Sequence, residues 1–185
     1  MPLNKDDYIF FWTPDGPNGW ASQWYQSPFE VPIVLPNETT ATLCKFPTAE
    51  HWMMFQKALL FNDIAIAKEV LSHTGVEKED LAVVKALGRG VKNFDEEKWV
   101  ANRERIVLEG SLHKFKHNPE LKIKLLETGE KRMVEASPRD RIWGIGFGAE
   151  SAGKMVDEKK WGLNLLGKAL DEARKQLSTA VEGES

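Results

Sequence analysis

The sequence predicts a mainly α, multihelical single domain with a small β element near its N-terminus. Helix-period apolar spacing dominates from Thr48 onward, and aromatic or β-branched runs that suit strands lie mostly before it. No internal repeat or low-complexity linker divides the chain, and 185 residues suffice for one well-buried core. The whole of 1–185 is therefore expected to be one domain, with its core over about 8–177.

Tyr8 to Trp12 is a short aromatic and β-branched run, ended by the turn formers Pro14-Asp15-Gly16-Pro17-Asn18-Gly19. Phe29 to Leu35 and Thr39 to Phe46 read as a strand pair around Pro36-Asn37-Glu38, and Pro32 restricts the first to an edge. Thr48 then caps a helix running to Phe61, with Glu50 in the first turn, where negative charge is favoured. Further helices are expected at Ile64 to Ser72, Lys78 to Leu87, Glu96 to His117 and Pro119 to Thr128, the last stopped by Gly129. Arg132 to Ala136 is short enough for a strand, and 137–153 reads as a glycine-containing loop. Trp161 to Leu177 is the last helix, and 178–185 a frayed polar tail.

Composition narrows the function. Hydrophobic residues at 42% and charged ones at 29% are ordinary for a globular protein, whereas seven Trp against two Tyr favour stacking on planar ligands. A formal net charge of −3 argues against a surface that tracks a long phosphate backbone, while a single nucleotide or one flipped-out base stays within reach. Cys44 is the only cysteine, so neither a disulfide framework nor a cysteine metal site is expected. The N-terminal Met-Pro-Leu-Asn-Lys-Asp-Asp lacks the pattern of a signal peptide, and no apolar stretch approaches a membrane span. The expected location is cytoplasmic or nuclear, with no membrane partner.

The helix opened by Thr48 is apolar on nearly every face yet carries Glu50 and Lys57. At about 100° per residue, a spacing of seven returns to within roughly 20°, so both share one side with their Cα atoms about 10 Å apart along the axis. They are too distant to pair easily, but both can reach a ligand lying over Met53 and Met54. A lysine in an apolar wall has a lowered pKa and becomes a competent nucleophile. The competing reading is a structural pair, or heads that snorkel at the edge of the core.

Three more clusters stand out. Trp99, Arg103, Ile106 and Gly110 form one helical stripe, which is either a base or ribose platform beside a phosphate-binding guanidinium or a buried Trp with a snorkelling Arg. Arg89, between Gly88 and Gly90, is either close to a phosphate or part of a plain helix C-cap. The stretch Glu135 to Gly148 joins Asp140 and Trp143 to Gly144 and Gly146, either presenting them to a pocket or making a structural turn. The pair His113 and His117 lacks the Glu of a zinc-protease helix, and neither a nucleophile elbow nor a Walker loop is present. No metal or other cofactor enters this reading.

Thr48-Ala49-Glu50-His51-Trp52 with Gln56-Lys57-Ala58, Leu87-Gly88-Arg89, Trp99 with Arg103, Lys114-Phe115, Leu125-Leu126 with Thr128-Gly129, and Asp140 with Trp143-Gly144-Ile145-Gly146 occur in order across residues 8–177. Together they resemble the NADAR, or YbiA-like, family. Ser22-Gln23-Trp24 stands where many members have Ser-Asn and an aromatic residue. The resemblance implies a mainly α fold and N-glycosidase activity on a phosphorylated ribose joined to an exocyclic aromatic amine. It implies Glu50, Lys57 and Asp140 as catalytic groups, and Trp24, Arg89, Trp99, Arg103, Trp143, Gly144 and Gly146 as binding residues. Glu50 would move a proton and Lys57 would attack C1, or only bind phosphate or ribose hydroxyls. The expected substrate is ADP-ribosylated guanine, free or in nucleic acid. The alternatives are a phosphoribosylamino-pyrimidine intermediate of riboflavin synthesis and, in another class, a non-catalytic ADP-ribose or nucleotide reader.

Overall fold

The computed structural model describes residues 4–154 and 157–182. In chain order these form β1 (Tyr8–Phe11), β2 (Phe29–Ile33), β3 (Thr42–Phe46), α1 (Ala49–Leu60), α2 (Ile64–Ser72), α3 (Lys78–Arg89), α4 (Glu96–His117), α5 (Pro119–Glu127), β4 (Arg132–Glu135), α6 (Ala149–Lys154) and α7 (Leu165–Glu182). The fold is mainly α with two small sheets, as the sequence predicts. Two compact units divide the chain: one spans Gln26–Asn118, and the other combines the N-terminal segment to Tyr25 with Pro119 onward.

In the unit from Gln26 to Asn118, β2 and β3 pair antiparallel, with Pro32 opposite Leu43. A two-stranded sheet has only edges, so the missing Pro32 donor costs no central ladder bond. Phe29 and Phe46 stack at 5.4 Å on the buried face, and Phe46 meets Trp52 and Phe55 edge-on. α1 is the hub, packed on α2, α3 and α4. Two glycines let the neighbouring helices close on it. A side chain at Gly88 would meet Met54 Sδ at 2.0 Å, and one at Gly110 would meet the Trp52 indole at 2.5 Å. Trp52 Nε1 also donates to the Ile106 carbonyl at 3.0 Å. Each fully buried side chain of this size contributes about 1.5–3 kcal/mol relative to exposure, so Trp52, Met53, Met54 and Phe55 anchor α1 firmly.

In the other unit, β1 and β4 run parallel, Tyr8 opposite Arg132 through Phe11 opposite Glu135. Among the described residues no strand pairs with the other edge of β4, and the side chain of Asn164 takes that place. Asn164 Oδ1 accepts from Glu135 N at 3.0 Å, while Nδ2 donates to the Met133 carbonyl at 2.9 Å. Tyr8, Val134, Ile145 and Ala152 form a small core edged by Phe10, Phe147 and Trp161.

Several sequence boundaries move. The last helix begins at Leu165 and not at Trp161, because Gly162, Leu163 and Asn164 donate to the carbonyls of Ile145, Arg141 and Gly144. It also continues past Leu177 to Glu182, so Ser178 onward is helical where a frayed tail was expected; residues 183–185 of that tail lie outside the described residues. α6 lies within the stretch read as loop, α3 runs two residues longer to Arg89, and the strands are shorter than their apolar runs. Residues 1–3 of the leader reading also lie outside the described residues. Among the described residues no helix is long and apolar enough to cross a membrane.

Candidate active site

α1 starts where Thr48, in extended conformation, accepts a hydrogen bond from His51 N, and the Thr48 hydroxyl also bonds His51 Nδ1 at 2.9 Å. That cap fixes the first turn and with it Glu50, only 6% exposed. Burying a carboxylate costs several kcal/mol after relaxation, so its place in the first turn, where the helix N-terminus favours negative charge, offsets part of the cost. His51 is buried too, and burial pushes its pKa down to about 4, leaving it neutral. Lys57 lies two turns further on, on the same side of the helix.

Two aromatic rings bracket the Lys57 amine. Its Nζ lies 4.6 Å from the centre of Phe94 and 5.2 Å from that of Trp99. Burial lowers the Lys57 pKa; Glu96 opposes that shift and Arg89 adds to it. The amine is therefore more readily neutral than an exposed lysine, the state a nucleophile needs. Arg89 is the exposed last residue of α3, and Gly90 after it is not left-handed. The glycine before it, Gly88, serves the packing of α3 on Met54.

The stripe on α4 is buried: Trp99 is 8% and Arg103 9% exposed. Trp99 therefore has little free face to offer a base. Arg103 Nε is fully buried and has no hydrogen-bond partner among the described residues. A guanidinium in that setting favours an anion, because its donors already sit in a low-dielectric fork.

Phe94, which sequence reasoning missed, presents the open aromatic surface here, at 43% exposure. Its loop is fixed from below by Asp63. Asp63 Oδ2 accepts from Lys92 N at 3.0 Å, Oδ1 caps α2 by accepting from Ile66 N at 3.2 Å, and its own N–H donates to the Ala58 carbonyl at 2.9 Å. One carboxylate thus ties the ends of α1, α2 and the Phe94 loop together. The backbone bond from Lys92 is the main reason its pKa lies below the usual carboxylate value. Sequence spacing could flag Asp63 as a cap, but not the 29-residue reach to Lys92.

The remaining predicted residues belong to the unit containing β1 and β4. Asp140 Oδ1 accepts from both Ile142 N and Trp143 N at 2.8 Å, so this carboxylate folds its own loop and leaves Trp143 half-buried. A side chain at Gly144 would come within 2.7 Å of the Glu135 carbonyl, and Gly146 has φ +75 with Arg141 beside it. Both glycines are required by the loop itself. Trp24 is half-buried, and its N–H donates to the Ser22 hydroxyl at 3.2 Å. Among the described residues, no group of three or more His, Cys, Asp or Glu is placed to hold a metal ion.

Comparison with known proteins agrees with this architecture. The NADAR domain pattern matches residues 10–178. N-glycosidase R617 of Acanthamoeba polyphaga mimivirus is 39% identical over 178 residues, covering 94% of this chain and 98% of that protein. Riboflavin biosynthesis protein VVA0006 of Vibrio vulnificus is 28% identical over 138 residues, covering 75% of this chain and 33% of that protein. The solution structure of YbiA from E. coli superposes with a TM-score of 0.68 at 25% identity, covering 96% of this chain and 89% of that one.

Proposed function

Because the chain belongs to the NADAR domain family, we propose that it is an N-glycosidase, cleaving the bond between C1 of a phosphorylated ribose and an exocyclic aromatic amine. The observation that carries this is the placement, on one side of α1, of a buried Glu50 and of a half-buried Lys57 whose amine is made more readily neutral and lies against Phe94 and Trp99. A non-catalytic nucleotide reader would need the aromatics and the arginines, but neither of these two ionisable groups.

In the proposed reaction the neutral Lys57 amine attacks C1. The bond from C1 to the exocyclic nitrogen breaks, and that nitrogen leaves with its electron pair and a proton delivered by Glu50. The lysine nitrogen passes a proton to the ring oxygen as the C1–oxygen bond opens, leaving a protonated imine. Water adds at C1 and gives its proton to Glu50. The carbinolamine then collapses to the open-chain sugar and free Lys57. Arg103, with its unpartnered Nε, is suited to a phosphate of the ribosyl group, and Arg89 adds positive charge near the amine.

The substrate class we favour is guanine ADP-ribosylated on its amino group, free or flipped out of nucleic acid. The name of the Vibrio relative supports the second reading, an aminopyrimidine ribotide, which the same centre would cleave. The test is incubation with ADP-ribosylated guanosine in an oligonucleotide and, separately, with the aminopyrimidine ribotide, followed by chromatography of the freed ADP-ribose or ribose phosphate and of the unmodified amine. Borohydride added during turnover is expected to trap a sugar on Lys57. No release from either substrate would overturn the activity; full turnover by Lys57→Ala would overturn covalent capture.

A further inference from the structure

We infer that Phe94 is the stacking platform for the departing aromatic base, an inference that rests on the glycosidase reading above. In a near-attack geometry C1 lies about 3–3.5 Å from the attacking nitrogen. The aromatic amine is joined directly to C1, so its ring must begin only two bonds away from that carbon. Whatever ring receives it must therefore lie close to Lys57 Nζ and have a free face. Phe94 meets both conditions, with its ring centre 4.6 Å from Nζ and the residue 43% exposed, so that ring surface beyond the amine is open to solvent. Trp99 meets only the first, being 8% exposed. Stacked or edge-to-face rings have centroids about 4.5–7 Å apart, which fits a base lying over Phe94 while C1 faces the amine.

The ring is held for such a role. Phe61, itself buried, packs against Phe94 with centroids 5.2 Å apart and planes tilted by 54°, bracing it from within the fold. Val91 is buried, Asn93 takes a left-handed turn at φ 55, and Lys92 N is bonded to Asp63. An exposed phenyl group on a loop anchored at three points retains little freedom to lose when a base binds. Stacking is also tolerant of which heterocycle arrives, because every base offers a π face. Phe94 thus selects for an aromatic amine as leaving group without choosing between a purine and a pyrimidine.

The test separates the two halves of the substrate by calorimetric titration of the wild type, Phe94→Leu and Phe94→Tyr with guanosine, with a diaminopyrimidinone and with ribose 5-phosphate. Phe94→Leu is expected to weaken guanosine binding by roughly fivefold to a hundredfold, the range of single base–aromatic stacks, and to leave ribose 5-phosphate within twofold. Phe94→Tyr should restore guanosine affinity. A loss for guanosine alone would overturn the indifference between purine and pyrimidine, whereas a loss for both heterocycles supports the platform. Unchanged heterocycle binding in Phe94→Leu, equal losses for all three ligands, or no heterocycle binding by the wild type would overturn it. Turnover of the two ribosylated substrates by the same variants keeps the two ideas apart: heterocycle binding that depends on Phe94, without cleavage of either substrate, removes the glycosidase reading, while cleavage indifferent to Phe94 removes only the platform.

Discussion

The indole of Trp52 occupies the space that any side chain at Gly110 would need, with Cδ1 only 2.5 Å from the position of a β-carbon. Exchanging Gly110 for Ala would gain about 1 kcal/mol of helix propensity, but overpacking a full core costs typically about 1–3 kcal/mol. Trp52 cannot yield easily, because Nε1 is bonded to the Ile106 carbonyl and Phe46 packs on the ring. Gly110→Ala is therefore expected to lower stability by up to about 2 kcal/mol net. Because Trp52 sits between Glu50 and Lys57 on α1, activity should fall more than stability explains. Urea denaturation with parallel kinetics checks this; a variant more stable than the wild type would refute the packing argument.

The pH profile should follow the charges around Lys57. Only the neutral amine is nucleophilic, so the rate at which an amine-selective acylating reagent labels Lys57 should rise with pH and level off through a midpoint below 10.5, the ordinary lysine value, because burial lowers the Lys57 pKa. Glu96 works against that shift and Arg89 with it. Glu96→Gln should consequently move the limb to lower pH, and Arg89→Gln to higher pH. Opposite movements in the two variants are the diagnostic result. A limb that neither substitution moves belongs to another group.

Asp63→Asn tests the clamp beneath the Phe94 loop. Asparagine keeps one acceptor for Ile66 N but turns a donor toward Lys92 N, leaving that N–H unpaired at a cost of about 1–3 kcal/mol. The folded-state pKa of Asp63 is lowered, so its contribution is present above the unfolded carboxylate value and is lost as pH falls through the folded value. The stability gap between wild type and variant should be full at pH 7 and shrink on acidification below the ordinary value of 3.8. Denaturation at pH 7 and near pH 3 measures it. A gap equal at both would assign the effect to shape, not charge.

What the sequence reveals follows from how local each cause is. α2 and α4 match their expected bounds because Asp63 and Asp95 cap them and because Asn118 and Pro119 end the longer one. Glu50 and Lys57 were legible because helix geometry alone puts residues seven apart on one side. Phe94 was not, since it comes near the amine only through a loop held by Asp63, 29 residues before the Lys92 it binds. The start of α7 was misplaced for the same reason. Gly162 to Asn164 are drawn out of the helix by carbonyls about 20 residues earlier, and no local periodicity records those bonds.

Arg103 separates binding from stability most sharply. It is 9% exposed, its Nε has no hydrogen-bond partner among the described residues, and its immediate neighbours along the α4 stripe, Trp99, Ile106 and Val107, are buried and apolar. Replacing a buried ion pair with apolar side chains of similar volume is often neutral or stabilising by about 1–4 kcal/mol, and removing a lone buried charge relieves the same desolvation cost. Arg103→Met is therefore expected to melt at the same temperature or several degrees higher, since about 1 kcal/mol corresponds to roughly 2–4 °C at this chain length. The same variant should lose most of its affinity for ribose 5-phosphate while keeping its affinity for guanosine, because the guanidinium is assigned to the phosphate and not to the base. Arg103→Lys retains the charge without the planar fork and should recover only part of the phosphate affinity. If Arg103→Met instead unfolds readily and binds ribose 5-phosphate normally, the guanidinium is a structural member of the core and the phosphate must be held elsewhere.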